Sequence, residues 1–194
     1  AFAAGVTSQT ITVAIVTDTI DEEDETFLVN LTGVTGGEVA GSSPSIAVSQ
    51  AVGTITDDDA TPTISIADAA GVTENSGQNS SFTVSLSNPS SLTISVAYAT
   101  AAGVTNPATS VTDFTSSSGT LTFAAGVTSQ TVTVPIIGDT TDEEDETFVV
   151  NLTSPTGGAV AGGVVLITDA QGLGTIADDD AAPTITIAAA SASE

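Results

Sequence analysis

The chain predicts an all-β protein, an immunoglobulin-like antiparallel β-sandwich repeated in tandem. Three observations carry that prediction. The string Asp-Glu-Glu-Asp-Glu-Thr-Phe occurs at Asp21–Phe27 and again at Asp142–Phe148, 121 residues later. Laid over each other at that offset, residues 1–59 and 122–180 agree at 39 of 59 positions without a gap. Repetition of that quality sets the architecture before any local feature is weighed. Finally, Thr, Val and Ile recur with a period of two, as in strands with one apolar and one hydroxylated face, and no window carries a 3.6-residue period.

The chain does not begin at a repeat boundary. Thr61-Pro62-Thr63-Ile64-Ser65-Ile66 matches Ala182-Pro183-Thr184-Ile185-Thr186-Ile187. We therefore expect residues 1–60 to be the C-terminal half of one unit, 61–181 a complete unit and 182–194 the first strand of the next. The complete unit has an ordinary single-domain length. A half unit cannot bury a core alone, so the chain continues in both directions or neighbouring molecules complete it.

Seven strands are expected in the complete unit, A to G. Strand A spans 62–68. Strand B, 81–87, alternates Phe82, Val84 and Leu86 with Ser and Thr. Strand C, 92–101, carries Ile94, Val96 and Tyr98; strand D, 118–124, carries Leu121 and Phe123. Strand E, 129–137, presents Val132 and Val134, strand F, 146–154, presents Phe148, Val150 and Leu152, and strand G covers 164–176. Turn signals separate them, among them Asn88-Pro89-Ser90-Ser91, Ser116-Ser117-Ser118-Gly119 and Pro155-Thr156-Gly157-Gly158. Seven short strands in such a length describe a sandwich. Phe82, Phe123 and Phe148 are expected in its core.

Composition narrows the chemistry. There are 24 acidic residues and no Lys, Arg or His, a formal charge of −24. Phosphate recognition needs cations, which excludes nucleic acid as a partner, and attraction to anionic lipid fails on the same ground. No apolar run approaches the roughly 18 residues of a membrane span, so no direct membrane insertion is expected. The absence of Cys removes disulfides, thiol catalysis and thiolate metal sites. Ser and Thr have no His partner for nucleophilic catalysis. The acids are too crowded for the two-carboxylate cleft of a glycosidase, and Tyr98 with no Trp offers little to stack on a sugar. The chain is not expected to be an enzyme.

Loops of an antiparallel sandwich alternate between its two ends. The A–B, C–D and E–F loops share one pole with the exit of strand G. Asp68 and Glu74 belong to A–B, Asp113 to C–D, Asp139 and Asp142–Glu146 to E–F, and Asp178–Asp180 to the exit of G. The opposite-pole loops, 88–91, 125–128 and 155–163, hold no acid; Asp169 alone falls elsewhere. Carboxylates so crowded repel one another unless they protonate, splay apart or share a hard cation. Ca2+ accepts six to eight oxygens in irregular geometry, whereas Zn2+ and copper recruit the His and Cys that are missing. Ca2+ is the expected cofactor.

Several segments together resemble the Calx-beta motif: Phe123-Ala124-Ala125-Gly126, Gly138-Asp139, Asp142–Phe148 and Gly174–Asp180, with Asp113-Phe114 before Ser118-Gly119-Thr120-Leu121 and Val72-Thr73-Glu74 before Gly77. The likeness spans 61–181, and 1–59 shares its later part. Such domains occur in sodium–calcium exchangers, in an integrin subunit and as arrays in large bacterial surface proteins. The resemblance implies Ca2+ ligands at Glu74, Asp113, Asp139, Glu143, Glu146, Asp178, Asp179 and Asp180, with a backbone carbonyl near Thr141. In the half unit it implies Asp18, Glu22, Glu25, Asp57, Asp58 and Asp59; the equivalents of Glu74 and Asp113 lie outside that half. Where the exchanger carries a further acid beside Asp139, this chain has Gly138. Within the string, Asp142, Glu144 and Asp145 are expected to face solvent.

The resulting expectation is a Ca2+-rigidified spacer of an extracellular bacterial surface protein, an adhesin or filament whose partners are neighbouring copies of the same repeat. Two other readings stand beside it. One is a cell-adhesion module with a cell-surface or glycan target, for which the segment Tyr98–Asp113 is the candidate contact. The other is a Ca2+-sensing regulatory domain like that of the exchangers. Asn30, Asn79 and Asn151 each open an N-glycosylation triplet; Asn79 is the better acceptor, the others being expected within strand F.

Overall fold

The structure, a computed structural model, describes residues 1–37, 41, 43–158 and 163–192. In the half unit lie β1 (Glu25–Asn30) and β2 (Gln50–Ile55). The complete unit contributes β3 (Thr63–Ile66), β4 (Val72–Thr73), β5 (Asn79–Leu86), β6 (Ile94–Ala102), β7 (Ser118–Phe123), β8 (Ser129–Pro135), β9 (Glu146–Gly157), β10 (Leu166–Asp169) and β11 (Gln171–Ala177). One 3-10 turn, Glu74–Ser76, follows β4. The sandwich consists of a four-stranded sheet in the order β10-β3-β5-β8 against a five-stranded sheet in the order β4-β11-β9-β6-β7. Part of the acid-free F–G loop, 159–162, lies outside the described residues.

Strands A and G are each split between the two sheets, A as β3 and β4, G as β10 and β11. They pair with each other in parallel in both sheets, whereas the other pairs are antiparallel. The chain enters strand A at the acid-free pole and leaves strand G at the acidic one, so the two run in the same direction. Asp68 pins the crossing: its Oδ1 accepts the Leu173 amide at 2.8 Å, while the Ala69 amide donates to the Leu173 carbonyl at 2.9 Å. Asp68 therefore serves the backbone and does not join the acids of the pole.

The core closes around aromatic rings. Phe82, Phe114, Phe123 and Phe148 are all buried, with Phe114 stacked on Phe148 at 4.9 Å and Phe82 meeting Phe148 edge-on at 5.7 Å. Phe148 sits opposite Gly174 across the β9–β11 pair, and a Cβ on that glycine would come within 2.5 Å of the ring. The half unit repeats the device, with Gly53 opposite Phe27 and equally obstructed by its ring. The side-chain ladder repeats as well: Gln171 Nε2 donates to Asn151 Oδ1 and Gln50 Nε2 to Asn30 Oδ1, each at 2.8 Å. Those two triplets are strand chemistry, while Asn79 lies exposed at the start of β5.

Among the described residues, no strands equivalent to β3, β5 and β6 cover the half unit. Phe2 is accordingly 64% and Ile11 61% exposed, against 1% and 2% for their counterparts Phe123 and Val132. Residues 182–192 form no strand, and Ile185 and Ile187 stand in solvent. The sequence of strand A is present there without the neighbours that strand pairing requires.

Replacing Phe148 by Ala is expected to cost about 3–5 kcal/mol of stability, read by denaturant unfolding of the chain. Phe27→Ala, at the half-buried repeat counterpart, is expected to cost clearly less.

Candidate metal centre

Four segments build the acidic pole, and the backbone positions each of them. The 3-10 turn begins at Glu74 and closes on Gly77 with φ 69°. Glu74 is buried at 6% exposure, and its Oε1 has no hydrogen-bond partner. Next to it, Asn75 Nδ2 donates to the Asp139 carbonyl at 3.1 Å and to Asp179 Oδ1 at 2.8 Å, tying the A–B loop to the E–F loop and the exit of G. Gly138 lets these loops approach, since a Cβ there would run into the Asn75 side chain and the Glu74 backbone. This is why the position carries no further acid.

The C–D loop delivers Asp113. Val111 adopts a φ of 90°, its amide donating to the Phe114 carbonyl at 2.9 Å, and the Thr109 amide donates to Asp113 Oδ2. With Phe114 locked in the core, Asp113 is fixed at the rim, 7% exposed. The preceding segment braces the start of β9: Gly103 and Ala108 amides both donate to the Thr147 carbonyl, at 2.9 and 2.8 Å. Asn106 Nδ2 donates to Glu144 Oε2 at 3.0 Å. The segment expected as a receptor contact is thus engaged in holding the acidic string.

The string is cross-braced to strand G. The Asp178 amide donates to Asp145 Oδ1 at 3.1 Å, and the Glu143 amide to Asp178 Oδ1 at 3.3 Å. Glu144 and Asp145 are exposed, as expected, but they carry these contacts and are not merely solvated. Asn75, Asn106 and the bracing role of Asp145 were missed from sequence; the trace of Asn75 was its place between Glu74 and the turn-closing Gly77.

Two carboxylate triads result. Oxygens of Asp113, Glu143 and Glu146 lie within 4.8 Å of one another, as do those of Glu74, Asp179 and Asp180. The structure therefore groups six of the implied ligands. Asp139 stands outside the triads, its Oδ1 accepting the Thr141 amide at 2.6 Å, and so does Asp178, occupied by the Glu143 amide. Thr141 contributes that amide, at the turn where its carbonyl was expected as a ligand. In the half unit Asp18, Glu22, Glu25, Asp57, Asp58 and Asp59 line one cleft. Its bracing is the same, with Asp57 N donating to Asp24 Oδ1 at 3.0 Å, Glu22 N to Asp57 Oδ1 at 3.3 Å and Ile20 N to Asp18 Oδ1 at 2.9 Å. No triad forms there among the described residues, because nothing supplies the counterparts of Glu74 and Asp113.

Burial, reinforced by the charges of Asp139, Asp178, Asp180 and Glu143, pushes Glu74 up to about 7. Glu146 is likewise pushed up to about 7, by burial and then by Asp113, whose charge and hydrogen bond both act on it. Glu143 and Asp180 are raised by desolvation and by their acidic neighbours. Asp139 is lowered, its charge held by the backbone amide of Thr141. Unpartnered buried oxygens on Glu74 and Asp180, within oxygen-only triads, fit a hard divalent cation such as Ca2+.

Without metal, the folded unit binds protons on Glu74 and Glu146 that the unfolded chain has released above about 4.5. Stability in chelator is therefore expected to fall as pH rises from about 4.5 through 7. Thermal melts across that range test this, and Glu74→Gln should flatten the slope.

The Calx-beta domain model matches residues 1–59 and 57–180. Among solved structures, the apo-form Calx CBD1 domain is 31% identical over 61% of this chain and 99% of its own length, with a TM-score of 0.50. CBD12 from CALX1.2 is 31% identical over 61% of this chain, which covers 46% of that one, with a TM-score of 0.52. No curated protein sequence matches. With matches to both the half and the complete unit, the chain belongs to the Calx-beta domain family.

Proposed function

We propose that the chain is a calcium-binding structural repeat, a Ca2+-rigidified spacer in an extracellular bacterial surface protein of adhesin or filament type. The observation that carries the reading is the pair of carboxylate triads at the pole where strand G leaves for the next unit. Asp113, Glu143 and Glu146 would hold one ion, and Glu74, Asp179 and Asp180 another. The bound cation supplies positive charge that the chain itself lacks. Asn75 and Asp145 keep the loops in register, and Asp178 couples the acidic string to the outgoing strand. With the pole neutralised, the exit of strand G is fixed against the following strand A. Repetition of the acidic string and of its amide bracing in both units supports a spacer, since a sensor needs one or two tuned sites.

A second reading follows from the likeness to CBD12, that of a regulatory Ca2+-sensing domain. Small-angle scattering separates the two. A spacer stiffens without a change in core packing, whereas a sensor shifts between two compact arrangements.

Thermal unfolding of the chain is expected to rise by roughly 10 °C in Ca2+ at a hundred-fold excess over Kd, relative to chelator. Changing Asp178, Asp179 and Asp180 together to Asn should reduce that rise, and adding Glu143→Gln and Glu146→Gln, which strips the second triad as well, should abolish it. Identical melting with and without Ca2+ would remove the metal from the proposal.

A further inference from the structure

The two copies of the acidic string share one sequence and differ in surroundings at their first residue. Asp142 is exposed, whereas Asp21 is only 1% exposed. Asp21 lies against the complete unit, at the turn Asn88-Pro89-Ser90-Ser91 of the acid-free pole, where it forms a parallel bridge with Ser90. Its amide donates to the Pro89 carbonyl at 3.1 Å, and its carbonyl accepts the Ser91 amide at 2.9 Å and the Ser91 hydroxyl at 3.2 Å. The Ser90 hydroxyl, itself on a residue only 2% exposed, donates to Asp21 Oδ2 at 3.3 Å.

The turn is built for this. Ser90 Oγ accepts the Leu92 amide at 3.1 Å, the Ser90 carbonyl accepts the Gly126 amide at 2.9 Å, and Asn88 Nδ2 donates to the linker carbonyl of Ala60 at 2.7 Å. One turn thus grips both the linker and the preceding unit's acidic string.

We propose that this contact is the docking joint of the array: the first carboxylate of each acidic string seats in the Asn-Pro-Ser-Ser turn of the unit that follows. Asp142 is the open copy of the joint, and its partner is the same turn of a further copy of this repeat. The proposal deepens the spacer reading and rests on its tandem arrangement, but the joint needs no metal. Asp21 is a positioning residue and not a cation ligand, because backbone and hydroxyl groups of the next unit occupy it.

The test is amide hydrogen exchange and residual dipolar couplings on the 194-residue chain, in chelator. Asp21→Ala and Ser90→Ala are each expected to speed exchange of the Ser91 amide by about tenfold or more and to decouple the alignment of β1–β2 from that of β3–β11. Asp21→Asn, which keeps an acceptor for Ser90, and Asp142→Ala, which has no turn to hold in this chain, should leave both readouts unchanged. In a chain extended by a second copy of 61–181, Asp142→Ala should become disruptive. The joint is refuted if Asp21→Ala and Ser90→Ala behave like Asp142→Ala; should Asp21→Ala disorder the half unit, Ser90→Ala still decides. Calorimetric titration of Ca2+ into the same variants reads the spacer proposal separately, since loss of Ca2+ binding leaves the chelator result standing.

Discussion

Like-charge repulsion at one pole, in a chain with no cation of its own, governs the rest of the structure. Protein charges of both signs usually offset one another locally, but here 24 acids face no Lys, Arg or His. The fold answers with backbone amides: those of Thr141, Glu143, Asp178 and Thr109 each point at a carboxylate oxygen. Four amides orient four carboxylates without neutralising them. Glu74, Glu146, Glu143 and Asp180 remain raised, first by burial and then by the repulsion of their acidic neighbours, and a divalent cation would relieve both.

The pole is held open by groups that are not ligands. Asn75 spans three segments, Gly138 leaves room for it, and the C–D segment is bonded to the start of β9 through the Thr147 carbonyl. Beneath them, the cluster of Phe82, Phe148 and Phe114 ties together the strands from which these loops spring. A rigid core supporting an electrostatically strained rim is a sensible division of roles, because ligand atoms need to be placed before the ion arrives.

Much of this was legible in the sequence. The period-two alternation of Phe82, Val84 and Leu86, or of Phe148, Val150 and Leu152, is a one-dimensional image of a two-sided sheet, and the residues it marks are buried. Loop parity collected Glu74, Asp113, Glu143, Glu146, Asp179 and Asp180 at one end, since alternation between poles follows from strand count alone. What escaped has a common cause. Asp68, Asp139 and Asp178 each give one carboxylate oxygen to a backbone amide, and composition cannot tell which acids a fold engages in this way. Sheet switching by strands A and G was hidden too, because the inward face of G passes from Val165 to Gly172 and Gly174, where glycines carry no apolar signal to mark it. Asp21 and Asp142 open the same seven-residue string, and a neighbouring unit is what sets their surroundings apart.

The parallel pairing of strands A and G has a mechanical consequence. Tension along a tandem chain pulls the start of strand A away from one pole and the end of strand G away from the other. Because β3 lies beside β10 and β4 beside β11, running the same way, that tension slides each pair lengthwise. Sliding strains their hydrogen bonds together, whereas peeling a hairpin apart would break them in turn. Both terminal strands are clamped in two sheets at once, so neither can leave without disturbing both layers. The domain thus meets a stretching force in shear, along its most resistant direction.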